Sequence, residues 1–562
     1  MNLRQPLRRT PPARSGPGLR AALAGTAVVG LLLAATAVPG HAAGTTADRG
    51  GAGANPTIVR TGDGWLRGTA GPGYRTFEGI PYAAPPVGAL RWRSPRPHPS
   101  WAGVRDATAP GPMCPQNPGA ESPASLDEDC LHLNVTVPDR RRATTGLPVM
   151  VWIHGGSGTS GAGAWYDPAF LAQRGDVVAV TINYRLGALA QLRHPALPDS
   201  GHLAYADQQA ALRWVQREIR AFGGDPGNVT LFGESEGGTA VCAQLVSPSA
   251  AGLFHRAVMQ SGACWPSQLE HEFHSGSAGA PADLETNDDT GGLAFAAALG
   301  CHPPRTAATC LRDVGVQELL SAQTTARSLG FTATSAVLPV PTRVAVRTGQ
   351  VNRVPTIIGV NEEEGTLFTY FLNDALGAPV TEESYVARVR EIFGSAAEEV
   401  LTRYPVEAYA SPSAALAATQ TDHFWVCPSV TAAGELAAVS PVRFYQFADP
   451  APPQSLAIPL PPALAGPTHG AELPYLRMTD PSFGLPAAFT PQQKALSTLM
   501  VDYWTGYAQR GDPNHRGTPH WPRYDPAEAN ALRLAPGPRG VAPIDIRSAH
   551  QCGFWDEVAE AS

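Results

Sequence analysis

Leu231-Phe232-Gly233-Glu234-Ser235-Glu236-Gly237-Gly238 is a Gly-x-Ser-x-Gly turn set between two regular segments. Before it, Asn228-Val229-Thr230-Leu231-Phe232 is β-rich and alternates; after it, Thr239-Ala240-Val241 opens an apolar helical pattern. A serine at so sharp a strand-to-helix turn is forced into a strained conformation that lifts its hydroxyl off the sheet edge. Glycines on either side let backbone approach with no Cβ in the way. The hydroxyl is a poor nucleophile until a histidine takes its proton, and that histidine needs a carboxylate to orient it. A surface Gly/Ser turn matches the same five residues, and the existence of those partners separates the two readings.

Strand-like runs recur at Leu131 to Val135, Pro148 to Ile153, Val177 to Ile182 and Val229 to Phe232. Helical stretches alternate with them, as from Tyr205 to Ala221, where Ala211, Leu212, Val215 and Ile219 fall on one face. The alternation predicts an α/β fold with a mostly parallel central sheet covered by helices on both faces, and the serine turn is the nucleophile elbow of an α/β-hydrolase. No linker, repeat or charge run interrupts Pro56 to Phe554, so residues 43–562 are expected to form a single domain. Two polar stretches, Ser267 to Thr290 and Pro450 to Pro467, read as surface insertions, the second running directly to a histidine.

Residues 1–42 read as a secretion signal peptide. Arg4, Arg8, Arg9, Arg14 and Arg20 form a basic start, Ala21 to Val38 is uncharged and apolar, and Gly40-His41-Ala42-Ala43 offers small residues for cleavage. No later segment could cross a bilayer, so no stable membrane span is expected after cleavage. Cleavage removes five arginines and no acids, taking the formal charge from −7 to −12. An acidic mature chain with no basic cluster argues against nucleic acid as a partner. Lys494 is the single lysine, which speaks against Schiff-base chemistry, and no Gly-rich loop ends in Lys-Ser/Thr to hold a phosphate. Eight cysteines in an exported chain point to disulfides, and Cys114/Cys130 and Cys301/Cys310 would each staple a short loop. No Cys-x-x-Cys or His/Cys cluster has metal-ligand spacing; neither metal nor cofactor is expected.

Ester chemistry at a serine also needs donors for the oxyanion. Ile153-His154-Gly155-Gly156-Ser157-Gly158 follows a core strand, where bare N–H groups in a glycine-rich loop can converge on a developing charge. The same segment holds a Gly-x-Gly-x-x-Gly match, Gly156 to Gly161. A dinucleotide site would need a helix directly afterwards, and Ala162 to Pro168 breaks a helix start. In α/β-hydrolases the acid and then the histidine follow the serine along the chain. Thr356-Ile357-Ile358-Gly359-Val360-Asn361 is a buried-looking strand ending in Glu362, Glu363 and Glu364, among which spacing does not choose. Thr468-His469-Gly470 sets a histidine in a tight turn.

With these partners in order, the chain resembles the type-B carboxylesterases, the family of cholinesterases and bacterial para-nitrobenzyl esterases. The resemblance runs from Phe77-Glu78-Gly79-Ile80-Pro81-Tyr82 through Glu128-Asp129-Cys130-Leu131, Asn183-Tyr184-Arg185-Leu186-Gly187 and Phe222-Gly223-Gly224-Asp225-Pro226 to Gly511-Asp512-Pro513-Asn514. It implies Glu364 as the acid, in Gly-Val-Asn-x-x-Glu-Gly, and His469 as the base, in His-Gly-x-Glu-Leu, beside Ser235. It implies oxyanion donors at Gly156, Ser157 and Glu236, and disulfides Cys114–Cys130, Cys301–Cys310 and Cys427–Cys552. Cys242 and Cys264 remain, to pair with each other or stay as thiols. The expected partner is a small-molecule ester. A lipase is the alternative hydrolase, and a binding or adhesion module of this fold the alternative class, against which the retained Ser235, Glu364 and His469 weigh.

Three departures from the family pattern stand out. Glu236 occupies the position after the nucleophile where alanine is usual, keeping the N–H donor while adding a carboxylate expected to turn away. Ser157 and Gly158 replace the usual glycine and aromatic of the oxyanion loop. The Cys114–Cys130 loop holds no tryptophan, so it lacks the aromatic that grips quaternary ammonium in cholinesterases. With His469 as base, activity is expected to fall as pH drops through its pKa, near ~6.5 unless Glu364 shifts it.

Overall fold

A computed structural model of the chain describes residues 57–561 apart from 120–122, 140–145, 263, 265–286, 327–328, 330–331, 454–464 and 479–487. Residues 1–42, read from the sequence as a signal peptide, and the greater part of both polar stretches lie outside the described residues.

Among the described residues the strands are, in chain order, β1 (Ile58–Arg60), β2 (Trp65–Arg67), β3 (Thr69–Gly71), β4 (Tyr74–Pro81), β5 (Val104–Asp106), β6 (His132–Pro138) and β7 (Leu147–Ile153). They continue as β8 (Val178–Ile182), β9 (Gly224–Glu234), β10 (Arg256–Gln260), β11 (Thr356–Asn361), β12 (Val442–Phe447), β13 (Asn530–Leu534) and β14 (Val541–Asp545). Strands β1, β2 and β5 make a small separate sheet; the other eleven form one sheet in the order β3-β4-β6-β8-β7-β9-β10-β11-β12-β13-β14. Pairing is parallel from β8 through β13 and antiparallel at both ends.

β7 shows why the sheet sits at the centre. Val149, Val151 and Ile153 enter one apolar cluster, and Met150 and Trp152 enter another across the sheet; all five are fully buried. Such a strand reads as a continuous apolar run because helices cover both of its faces. On one side these include Leu203–Glu218, whose Ala211, Leu212 and Val215 are fully buried, and Glu236–Val246. On the other side lies the long helix Pro491–Arg510, capped by Thr490 and ended by Gly511 in the left-handed region. The α/β-hydrolase architecture expected from the alternation of runs is the one observed.

Four disulfides join the eight cysteines: Cys114–Cys130, Cys301–Cys310, Cys427–Cys552 and Cys242–Cys264. The last, with Cα atoms 5.4 Å apart, settles the pair the sequence left open and ties the helix behind Ser235 to the exit of β10. No helix among the described residues is long and apolar enough to cross a membrane.

Candidate active site

Ile153 of β7 pairs with Gly233 of β9, and Gln260 of β10 with Glu234. The loop leaving β7 and the turn leaving β9 therefore emerge side by side at the carboxyl ends of neighbouring parallel strands, where open α/β sheets form their crevices. At the turn Ser235 has φ 58° and ψ −126°, a conformation costing an L-residue about 1–3 kcal/mol. Two backbone bonds enforce it: Ser235 N–H donates to the Gln260 carbonyl at 2.9 Å, and Thr239 N–H donates to the Ser235 carbonyl at 3.0 Å. The flanking glycines are dictated by packing, since a Cβ on Gly237 would stand 2.1 Å from the Ile153 carbonyl oxygen and one on Gly233 would stand 2.6 Å from the Gly237 carbonyl.

The loop after β7 runs against the serine: a Cβ on Gly155 would lie 3.0 Å from Ser235 Cβ. Gly156, Ser157 and Gly158 follow with φ of 103°, 54° and 64°, three successive residues in the left-handed region. The Gly156 carbonyl accepts from the N–H groups of Thr159 and Ser160, and the Gly158 carbonyl accepts from Gly187 N–H at 2.7 Å. Gln116, inside the Cys114–Cys130 loop, clamps the far end by bonding both the N–H and the carbonyl of Gly161 at 3.0 Å. After Gly161 comes a single 3₁₀ turn, Gly163–Trp165, and not the helix a dinucleotide site requires. His154 is stacked on Tyr184 with centroids 4.3 Å apart, and burial lowers its pKa to about 4, leaving it neutral. The Glu236 side chain lies along the loop's flank, its carboxyl carbon 3.8 Å from where a Gly158 Cβ would be.

The expected acid and base come from distant segments. Glu364 opens the helix Glu364–Leu372 just beyond β11. Glu363 N–H donates to the Pro467 carbonyl at 3.0 Å, and Asn361 Nδ2 donates to the Thr468 carbonyl at 2.7 Å, so the His469 turn is stitched alongside the Glu364 turn. His469 Nδ1 then sits 2.6 Å from Glu364 Oε2, while Glu364 Oε1 accepts from Asn361 N–H at 2.7 Å. Of the three neighbouring glutamates, Glu364 is the fully buried one and the one bonded to the imidazole.

Sequence reasoning missed the remaining polar groups. Glu234 Oε1 faces His469 Nε2 at 3.3 Å, and Glu472 is held by Asn361 Nδ2 at 2.7 Å and Gln260 Nε2 at 3.2 Å. Both carboxylates are buried. Their only sequence signals are adjacency to Ser235 and a place three residues after His469. Burial by itself disfavours the imidazolium, but the surrounding carboxylates, Glu234 first and then Glu364 and Glu472, outweigh it and raise the His469 pKa. Burial likewise raises that of Glu234. Across the 3.3 Å gap the charges of Glu234 and His469 act directly on one another. The acid limb of activity is accordingly expected above the ~6.5 of a free imidazole.

Glu234→Gln tests this. A base must be neutral to accept a proton, and removing the carboxylate nearest Nε2 takes away the largest attraction holding the imidazolium. The acid limb of kcat/KM should move to lower pH by about one unit. A limb that stays in place would show that Glu234 does not act on the charge of His469.

The strand order, the strained serine at the β9 exit and the adjoining glycine loop define an α/β-hydrolase. The carboxylesterase family model matches residues 55–555. Cocaine esterase of Homo sapiens is 33% identical over 519 residues, covering 86% of this chain and 87% of that protein. Para-nitrobenzyl esterase of Bacillus subtilis is 34% identical over 501 residues, covering 85% and 94%. The solved structure of a thermophilic para-nitrobenzyl esterase superposes with a TM-score of 0.72 at 30% identity, covering 89% of this chain and all of that one. The chain belongs to the carboxylesterase family and is a carboxylesterase.

Proposed function

We propose that the chain is a secreted serine carboxylic-ester hydrolase working through a covalent acyl-enzyme, with Ser235, His469 and Glu364 as its triad. Ser235 Oγ attacks the ester carbonyl carbon as its proton passes to His469 Nε2. The resulting oxyanion is received by the N–H groups of Gly156, Ser157 and Glu236. Collapse expels the alcohol, which takes the proton from His469, and a water then repeats the sequence to release the acid. Glu364 holds the imidazole proton on Nδ1 throughout. The observation that carries this reading is the 2.6 Å bond between His469 and Glu364 at the same sheet end as the strained Ser235. Export is supported by the signal-like residues 1–42 and by four disulfides, which persist in oxidising compartments.

The direct test is hydrolysis of short-chain para-nitrophenyl esters by the purified chain beside Ser235→Ala, with a fluorophosphonate probe to label the nucleophile. Wild type should turn over and be labelled on Ser235, and the variant should do neither. Wild-type protein that is inert to both reagents would sink the proposal.

A further inference from the structure

A second buried histidine–carboxylate pair lies behind the first. The helix Pro412–Gln420 opens into a π-helical turn over Thr421–Val426 before Cys427–Ala437 resumes regular geometry. Pro428 supplies the local cause. It has no N–H, and in an unbroken α-helix its ring would strike the carbonyl of Phe424, so the preceding turn widens.

Asp422, inside the turn, is bonded on one oxygen by His550 Nδ1 at 2.6 Å and on the other by the Tyr404 hydroxyl at 2.7 Å. Gln446 of β12 donates its amide to His550 Nε2 at 2.7 Å, which leaves the imidazole proton on Nδ1 for Asp422. Trp555 Nε1 donates to the Tyr404 hydroxyl at 2.8 Å. All five side chains are buried, and the Cys427–Cys552 disulfide closes the arrangement beside the turn. So complete a set of partners fixes the turn from β12 on one side and from the C-terminal helix on the other.

The turn carries Trp425. Its ring stacks on Phe368 with centroids 4.9 Å apart and planes within 18°, and its centroid is 5.9 Å from that of His469. Phe368 lies one helical turn beyond Glu364, with its ring 4.9 Å from the imidazole. Thr421 Oγ1, at the start of the turn, accepts from Gly365 N–H at 2.9 Å. The widened turn therefore bears on both the acid-bearing helix and the base.

We infer that His550 and Asp422 are positioning residues for ester hydrolysis, holding the π-turn so that Trp425 and Phe368 keep the imidazole of His469 seated on Glu364. The inference rests on the triad proposed above. Neither residue lies against the bound ester in this reading, so their loss should act on chemistry and not on ground-state binding.

The experiment compares kcat and KM, per fluorophosphonate-titrated active site, for His550→Ala, His550→Asn and Trp425→Leu, with His469→Gln run alongside per mole of folded protein. Asparagine places an N–H near the Nδ1 position and can restore the bond to Asp422. His550→Ala should lose about tenfold to a hundredfold in kcat, the scale on which small misplacements far from the chemistry act, with KM within about twofold. His550→Asn should recover most of that loss. Should His550→Ala fail to fold, Trp425→Leu is expected to show the same kcat-only defect at the other end of the chain of contacts. Normal kcat per titrated site in whichever of the two folds, or a loss confined to KM, overturns the inference. Retained turnover in His469→Gln overturns the triad beneath it instead.

Discussion

Replacing His469 by glutamine should lower kcat for a para-nitrophenyl ester by about 10⁶-fold, the scale seen when the base of a serine triad is removed. Glutamine preserves volume and a donor in the buried turn but cannot take the Ser235 proton or return it to the departing alcohol. Glu364→Gln should cost less, about 10⁴-fold, because it keeps the shape and turns the imidazole to the wrong tautomer. Measuring both in one assay separates base from orienter. The order matters as much as the size. Activity within tenfold of wild type in His469→Gln, or a larger loss in Glu364→Gln, would require another group to act as base. Glu234, 3.3 Å from Nε2, would be the first to examine.

Gly237→Ala is expected to be strongly damaging. Its Cβ would stand 2.1 Å from the Ile153 carbonyl oxygen and 2.9 Å from that of His154, both backbone atoms of the β7 exit. A flexible side chain could swing aside; a strand end fixed between β8 and β9 cannot. Overpacking of this kind costs about 3 kcal/mol or more, and relief would push the oxyanion loop away from Ser235. The variant should lose activity and unfold at lower denaturant. Gly553→Ala makes a matched control, since its Cβ would meet nothing within 4 Å on the solvent-facing side of the C-terminal helix. There alanine should be neutral or stabilising by up to about 1 kcal/mol. Equal behaviour of the two variants would mean the close approach at Gly237 is readily relaxed.

The central strands were legible because burial on both faces leaves an unmistakable apolar run, as in Val149 to Ile153 and Val178 to Ile182. β12 was not, since Val442-Arg443-Phe444-Tyr445-Gln446-Phe447 buries an arginine and a glutamine whose partners, Asp512 and His550, come from far along the chain. The edge strands hid for another reason: β3 is three residues long and β14 carries Pro543, so neither has a pattern to read. At the site, Ser235 was visible from its own five residues. Choosing Glu364 from its two neighbours needed the family resemblance, because the bond that distinguishes it crosses to His469, 105 positions away. Glu234, Glu472, Asn361 and Gln260 stayed hidden in the same way. Each carries an ordinary polar side chain whose meaning depends on three strand ends meeting.

The Cys427–Cys552 bond spans 125 residues, and His469 lies inside that span. A protease that nicks the chain between these cysteines therefore cannot carry the histidine away by hydrolysis alone. Both ends of the cut remain on one covalent body, running as a single species until thiol is added and as two afterwards. A single clip inside that span leaves the histidine-bearing segment covalently tied to the rest of the chain.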